Sequence, residues 1–239
     1  MKNDKLQKIY LSSDPLCVRP LFYHHDIINK TFSFSSLLSG LKDFNDIRRL
    51  DQNEYIIYDN INNILFYENI NIIKYNNNFQ SSLTHDNIFN LNSHIYSDIY
   101  YLIYNCIVKR LDSERPIACL LSGGLDSSII CSIVSSYYYT NYPNKKLKVF
   151  TIGMNNSTDV HYSKILVKHL NSQFNNIEHI IVNFSIDEAL SVLYDVINVC
   201  ETFDITTIRA SVGQYLISKY ISENTDIKVI LNGDGADEC

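Results

Sequence analysis

The sequence has no surplus of positive charge, no apolar run of membrane-spanning length and no paired-cysteine motif. Lys and Arg number 20 against 26 Asp and Glu, a net charge of −6. That balance argues against non-specific nucleic-acid binding, which needs a basic face. A small polyanionic ligand would have to be held locally, by a metal ion and a loop. The amino terminus, MKNDKLQKIYLSSD, lacks the apolar core of a secretory signal, and no other run is long enough for a span. The expectation is a soluble, cytoplasmic protein with no membrane partner. Cysteines 17, 106, 119, 131, 200 and 239 show neither CxxC nor a zinc spacing, and Cys119 and Cys131 lie in apolar runs. They read as reduced, mostly core thiols.

What is there is organised around IACLLSGGLDSSIICSIV, residues 117–134. Residues 117–121 are apolar without alternation, the pattern of a strand buried on both faces. Ser122 then opens a turn through Gly123 and Gly124, and a helix follows with Asp126, Ser127 and Ser128 in its first turn. A helix start offers unpaired N–H groups to an anion, and glycines let backbone amides come close to it. Ser122, Ser127 and Ser128 can add hydroxyls, and Asp126 can hold the Mg²⁺ that travels with a nucleotide. A Walker loop would need a lysine after its last glycine, and none is present.

Before this stretch, KIYLSS, VRPLFYHH, TFSFSS, EYIIYDN and ILFYEN read as short strands in antiparallel hairpins. His24 and His25 have no third ligand nearby and read as surface residues of a strand end. The asparagine-rich 76–92 is the expected linker between a β-rich segment, 1–75, and a second domain, 93–239. HIYSDIYYLIYNCIVKRL is expected to be a helix with Ile95, Ile99, Leu102, Ile103, Cys106, Ile107 and Leu111 on one packed face. Beyond the glycine turn, KLKVFTIGM, IEHIIVNF and IKVILNGDGADE read as strands. VHYSKILVKHLN, IDEALSVLYDVINVC and TTIRASVGQYLISKYIS read as three helices. Alternation of this kind predicts a parallel sheet covered on both faces, with its ligand crevice at the strand carboxyl ends. Both glycine loops, at Gly123 and Gly233, fall there.

The first loop resembles the pyrophosphate loop of the ATP-pyrophosphatase superfamily. LLSGGLDSS, CETFDITTIRAS and LNGDGADE, in that order, resemble the synthetase domain of glutamine-hydrolysing asparagine synthetases. The resemblance implies an α/β nucleotide-binding domain that amidates aspartate with ATP and Mg²⁺ through β-aspartyl-AMP, using ammonia, free or derived from glutamine. It implies that Ser122, Gly123, Gly124, Asp126, Ser127 and Ser128 cradle pyrophosphate. Leu121 and Ile152 would flank adenine, Gly233 would meet it through backbone, and Asp126 and Asp237 would hold the metal. Thr206 and Arg209 would contact phosphate or acyl-adenylate, and Asp234 would act on the intermediate. Asn232 stands where that family usually has serine, and Asp234 where it usually has glutamate, one methylene longer.

DPLCVRPLFY followed by FSFSSLLSGL resembles the end of a class II glutaminase domain, with Cys17 in place of glycine and Ser36 in place of glutamate. Lys2 follows Met1, so no amino-terminal cysteine nucleophile is available, and glutamine hydrolysis by this chain is not expected. The chain is expected to be truncated at both ends relative to the family, incomplete in activity, and open to self-association or pairing with the missing segments. Two other readings stay open: a β-lactam-synthetase-like enzyme of the same superfamily, and a non-catalytic interaction module with a vestigial nucleotide site.

Overall fold

The computed structural model describes residues 8–14, 19–51, 54–69 and 93–235. The chain divides into two compact units, Met1–Phe89 and Asn90–Cys239. The expected linker and residues Cys17 and Asp237 lie outside the described residues.

The first unit contains two three-stranded antiparallel sheets. One has β1 (Lys8–Ser12), β5 (Glu54–Asp59) and β6 (Ile64–Asn69), with β5 central; the other has β3 (Thr31–Ser35), β2 (Phe22–Asp26) and β4 (Arg48–Arg49), with β2 central. Two hairpins repeat one turn chemistry. Asp26 accepts from the N–H groups of Ile28 and Asn29, and Asp59 from those of Ile61 and Asn62. Each turn closes on a left-handed residue, Lys30 at φ 53° and Asn63 at φ 56°. An aspartate bonding its own turn in this way favours reversal over strand continuation; the Asn29 N–H, then its side-chain amide, holds the Asp26 carboxyl below its usual range, and the Asn62 side-chain amide, then its N–H, does the same for Asp59. Leu11, Tyr23, Leu50 and Ile56 form the buried cluster.

His24 and His25, expected at the surface, are both half-buried. His24 stacks on Phe44 with centroids 4.8 Å apart and its Nδ1 is buried without a partner; His25 Nε2 meets Asn63 Oδ1 at 3.1 Å.

The second unit opens with α1 (Ser93–Val108) and then alternates: β7 (Ile117–Leu120), α2 (Leu125–Asn141), β8 (Leu147–Gly153), α3 (Thr158–Gln173) and β9 (Ile177–Asn183). After α4 (Ile186–Ser191), α5 (Leu193–Cys200) and α6 (Ile205–Asn224) comes β10 (Val229–Leu231). The strands form one parallel sheet in the order β10-β7-β8-β9. Cys119, Leu121, Leu147 and Val149 pack with Ile133, Val134, Val167 and Leu170 from α2 and α3. Ala118 and Phe150 pack with Ile217 and Ile221 from α6. This two-sided burial is what an apolar run without alternation requires. Cys119 and Cys131 are buried free thiols, whereas Cys106 is exposed and Cys200 half-buried.

Two expectations change here. The single helix over IDEALSVLYDVINVC is two, broken at Val192 with φ −97° and ψ 0°. A capping box fixes the start of α4, Ser185 accepting from Glu188 N–H and Glu188 from Ser185 N–H. On α1, only Ile107 of the expected packed face is buried, with Leu111 just beyond the helix, whereas Ile99 and Leu102 are 49% and 64% exposed. Periodicity gave the apolar stripe, but α2 covers only its carboxyl-terminal end.

Candidate functional site

Residues from β7, β8, α2, α3, α6 and the loops that follow the strands, including the one after β10, line a cavity of about 540 Å³ at the carboxyl ends of the strands. Its floor is apolar, with Leu121, Phe150, Ile152 and Ile217; its rim is polar.

The first glycine loop is tied to the sheet at its root. Leu121 N–H donates to Phe150 O at 2.9 Å, and Leu121 O accepts from Thr151 Oγ1 at 2.7 Å. Thr151 Oγ1 also meets His179 Nε2 at 2.8 Å, so one buried hydroxyl connects β9, β8 and the residue that starts the loop. Burial, with a smaller contribution from Lys164, holds the His179 imidazole below its usual pKa.

Gly123 then takes φ +84°, and a Cβ there would lie 2.5 Å from Tyr162 Cβ and 2.8 Å from Ser163 N. Only glycine fits both the conformation and the space. Gly124 caps α2 without a side-chain bond, and the first helical bond is Ser128 N–H to Gly124 O at 3.1 Å. The N–H groups of residues 125–127 therefore stand outside the helical ladder, as anion binding at a helix start requires. Ser127 turns inward, its hydroxyl accepting from Ser122 N–H at 3.3 Å, meeting Ser122 Oγ at 3.0 Å and donating to Gly124 O at 3.3 Å. Ser122, Gly124 and Asp126 remain exposed to the cavity.

The second glycine loop comes up beside the first because β10 pairs with β7, Leu231 opposite Cys119. A Cβ on Gly233 would lie 2.7 Å from Ser127 N and 2.9 Å from Asp126 Cβ. The second loop thus lies directly against the open helix start. From the other wall, α6 begins at Asp204, which accepts from Thr207 N–H at 2.7 Å, and it brings Arg209, Gly213, Gln214 and Ile217 to the cavity. Among the described residues the sole ion pair is Arg48–Asp46, so none of their carboxylates pairs with Arg209. Asp234 Oδ2 accepts from Gln214 Nε2 and from Asn232 Nδ2, each at 2.7 Å.

Of the residues singled out from sequence, the cavity brings together Leu121, Ser122, Gly124, Asp126, Ser127, Ile152, Arg209, Gly233 and Asp234. Gly123 packs against α3, and Ser128 and Thr206 are not among the lining residues. Sequence reading missed Gly153, Ser157, Phe184, Gly213 and Gln214. Gly153 carried a signal, since it ends a strand as Gly123 and Gly233 follow one. A Cβ on it would lie 2.5 Å from Ser157 Oγ, the hydroxyl that caps α3. Gln214, inside a long helix, carried none.

A parallel α/β sheet with two glycine loops converging over its strand ends defines a class of protein that holds its ligand in the crevice outside those ends. Within that class, residues 98–239 match the family model described as asparagine synthase, and the chain belongs to that family. It is 33% identical over 245 residues to a probable glutamine-hydrolysing asparagine synthetase of Acanthamoeba polyphaga mimivirus, covering 97% of this chain and 42% of that one. Over 144 residues it is 44% identical to the Bos taurus asparagine synthetase and 42% to the Homo sapiens one, covering 60% of this chain and 25% of each. The chain thus spans less than half the length of these relatives.

Proposed function

We propose that this chain binds ATP with Mg²⁺ at the strand-end cavity and belongs to an enzyme that amidates aspartate through β-aspartyl-AMP, releasing AMP and pyrophosphate. The second unit is read as the amino-terminal part of an ATP-pyrophosphatase-type domain, and the first as part of a class II glutaminase-like segment. Free thiols and a substrate such as ATP suit a cytoplasmic setting.

The observation that carries the reading is the approach of Gly233 to the Ser127 amide, which sets two backbone loops around one open helix start. The donor set fits a metal-bound nucleotide. Asp126, Asp159 and Asp234 line the cavity against the single guanidinium of Arg209, so a bare triphosphate would meet net negative charge. Among the described residues no three metal-ligating side chains converge. One or two carboxylates with phosphate oxygens is the arrangement Mg²⁺ accepts, and Asp126 with Asp237 would supply it. The ion, when bound, neutralises phosphate charge and favours departure of pyrophosphate.

The chain's own groups position the reactants. Amides at the start of α2 and the Ser122 hydroxyl receive the leaving pyrophosphate, Leu121 and Ile152 hold the base, and Arg209 faces the charge that develops at the α-phosphorus. The β-carboxylate of aspartate attacks that phosphorus and the bond to the β-phosphate oxygen breaks. Ammonia then displaces AMP from the acyl carbon, losing a proton as the amide forms.

Thermal unfolding of the chain with and without Mg²⁺-ATP tests the reading. A rise in melting temperature that needs both components, and that shrinks in Asp126→Asn and Ser127→Ala, is expected. Absence of any ATP-dependent shift would mean that the loops hold no nucleotide. Pyrophosphate release stimulated by other carboxylic acids rather than by aspartate would move the assignment to a different amide-forming synthetase.

A further inference from the structure

Asp234 is an exposed carboxylate on the rim of the cavity, yet it is held on two sides. Gln214 reaches it from α6 and Asn232 from two residues earlier in its own loop, both donating to the same oxygen, Oδ2, at 2.7 Å. That length lies at the short, charge-assisted end for an N–H donor on a carboxylate. Oδ1 takes no hydrogen bond from the described residues. The chemistry of the donors matters as much as their number. An arginine or lysine in either place would orient the carboxylate and cancel its charge, whereas two neutral amides orient it and leave the charge whole. The result is an anion fixed in direction, with one oxygen occupied and the other without a donor among the described residues, in the same cavity as Arg209, which pairs with no described carboxylate.

A fixed carboxylate with a vacant oxygen is a receptor for an N–H-bearing cation. A phosphate or a second carboxylate would be repelled there, and an uncharged group would gain little from it. We infer that Gln214 and Asn232 are positioning residues that hold Asp234 as a fully charged acceptor for the protonated amine of an amino-acid ligand. This role rests on the adenylating function proposed above, and it names the feature by which the site selects an amino acid over a plain dicarboxylic acid. Asp234 touches the ligand; Gln214 and Asn232 act through Asp234 and leave its shape and charge set before the ligand arrives.

The test compares two non-hydrolysable adenylate mimics on the full chain by calorimetry, β-aspartyl sulfamoyl-adenosine and its succinyl counterpart, which lacks only the amine. The wild type is expected to prefer the aspartyl mimic by at least about tenfold, the usual scale of one charge-assisted bond. Asp234→Asn is expected to abolish the preference. Gln214→Met, similar in length but without a donor, and Asn232→Ala are expected to reduce it about threefold to tenfold each. In the Asp234→Asn background neither should reduce it further, because their effect passes through that carboxylate. The preference is a ratio measured within one variant, so a general loosening of the fold does not move it.

Equal binding of the two mimics by the wild type would overturn the inference while leaving the adenylate site in place. So would an undiminished preference in Gln214→Met and Asn232→Ala, or an equal further loss in the Asp234→Asn background. Binding of Mg²⁺-ATP but of neither mimic would also overturn it. A wild type that binds neither Mg²⁺-ATP nor a mimic would instead remove the adenylating function, and the positioning role with it.

Discussion

Replacing Gly233 by alanine is the sharpest perturbation of the junction between the two loops. The added methyl carbon would lie 2.7 Å from Ser127 N, 2.9 Å from Asp126 Cβ and 3.0 Å from Asp126 C. Comfortable contact between such atoms needs about 3.5 Å or more, so the loop must retreat by roughly 0.5–0.8 Å. Two of the three obstructing atoms are backbone of the first turn of α2, which cannot rotate aside as a side chain can. Overpacking of this kind costs about 1–3 kcal/mol. For a unit of this size each kcal/mol lowers the melting temperature by about 2–4 °C, which predicts a fall of about 2–12 °C. The Mg²⁺-ATP shift should shrink as well, because the retreat opens the gap over the helix start. Gly213→Ala is the control. It lies in α6 and lines the same cavity, but its added carbon would meet nothing nearer than Ile152 Cγ2 at 3.9 Å. Alanine inside a helix should leave stability unchanged or raise it by up to about 1 kcal/mol. Differential scanning fluorimetry of both variants, with and without nucleotide, decides the matter. If Gly233→Ala melts with the wild type and keeps its ATP shift, or if Gly213→Ala costs as much, close approach of the loops is not what these glycines provide.

His179 should make stability pH-dependent. The unfolded chain takes up a proton near the ordinary imidazole value of 6.5, whereas burial keeps the folded ring neutral to lower pH. Between those two values the unfolded state binds more protons, so stability is full above about pH 6.5 and declines as pH falls through the folded value. Chemical denaturation from pH 7.5 to 5 should show the decline, and His179→Gln should flatten it; an equal slope in both proteins would count against the buried imidazole. Thiol chemistry should divide the cysteines. Cys106 is exposed, while Cys119 and Cys131 are fully buried, and the hydrogen bond to Cys131, followed by burial, pushes the Cys119 thiol well above its usual value. Maleimide labelling of the native chain with peptide mapping should therefore modify Cys106 and spare the other two until denaturant is added. Early modification of Cys119 would contradict the packing of β7 against α2.

The alternation of elements in the second unit was legible because two-sided burial writes itself as unbroken apolar runs, and because glycine marks the strand ends. The first glycine turn was legible for a similar reason: the conformation at Gly123 and the open cap at Gly124 are local demands with local residue signatures. What escaped depended on partners distant in sequence. Nothing at Gln214 distinguishes it from a solvent-facing helix residue, since its meaning comes from Asp234 on another element. The break at Val192 has no glycine or proline to announce it, and the apolar period runs straight through. On α1 the stripe was read correctly as a stripe, but amphipathicity does not say how much of it a neighbour covers.

The placement of β10 has a consequence for synthesis. It is only three residues long and pairs with β7, the strand made first in its sheet. About 110 residues separate the two glycine loops, which at ~5–20 residues per second is roughly 5–20 s of ribosome time. Throughout that interval β7 has its β8 edge available for pairing and its other edge bare, and the open start of α2 has no opposing loop. A nascent chain therefore has no closed pair of glycine loops until β10 has been made, and until then the bare edge of β7 is open to other pairing.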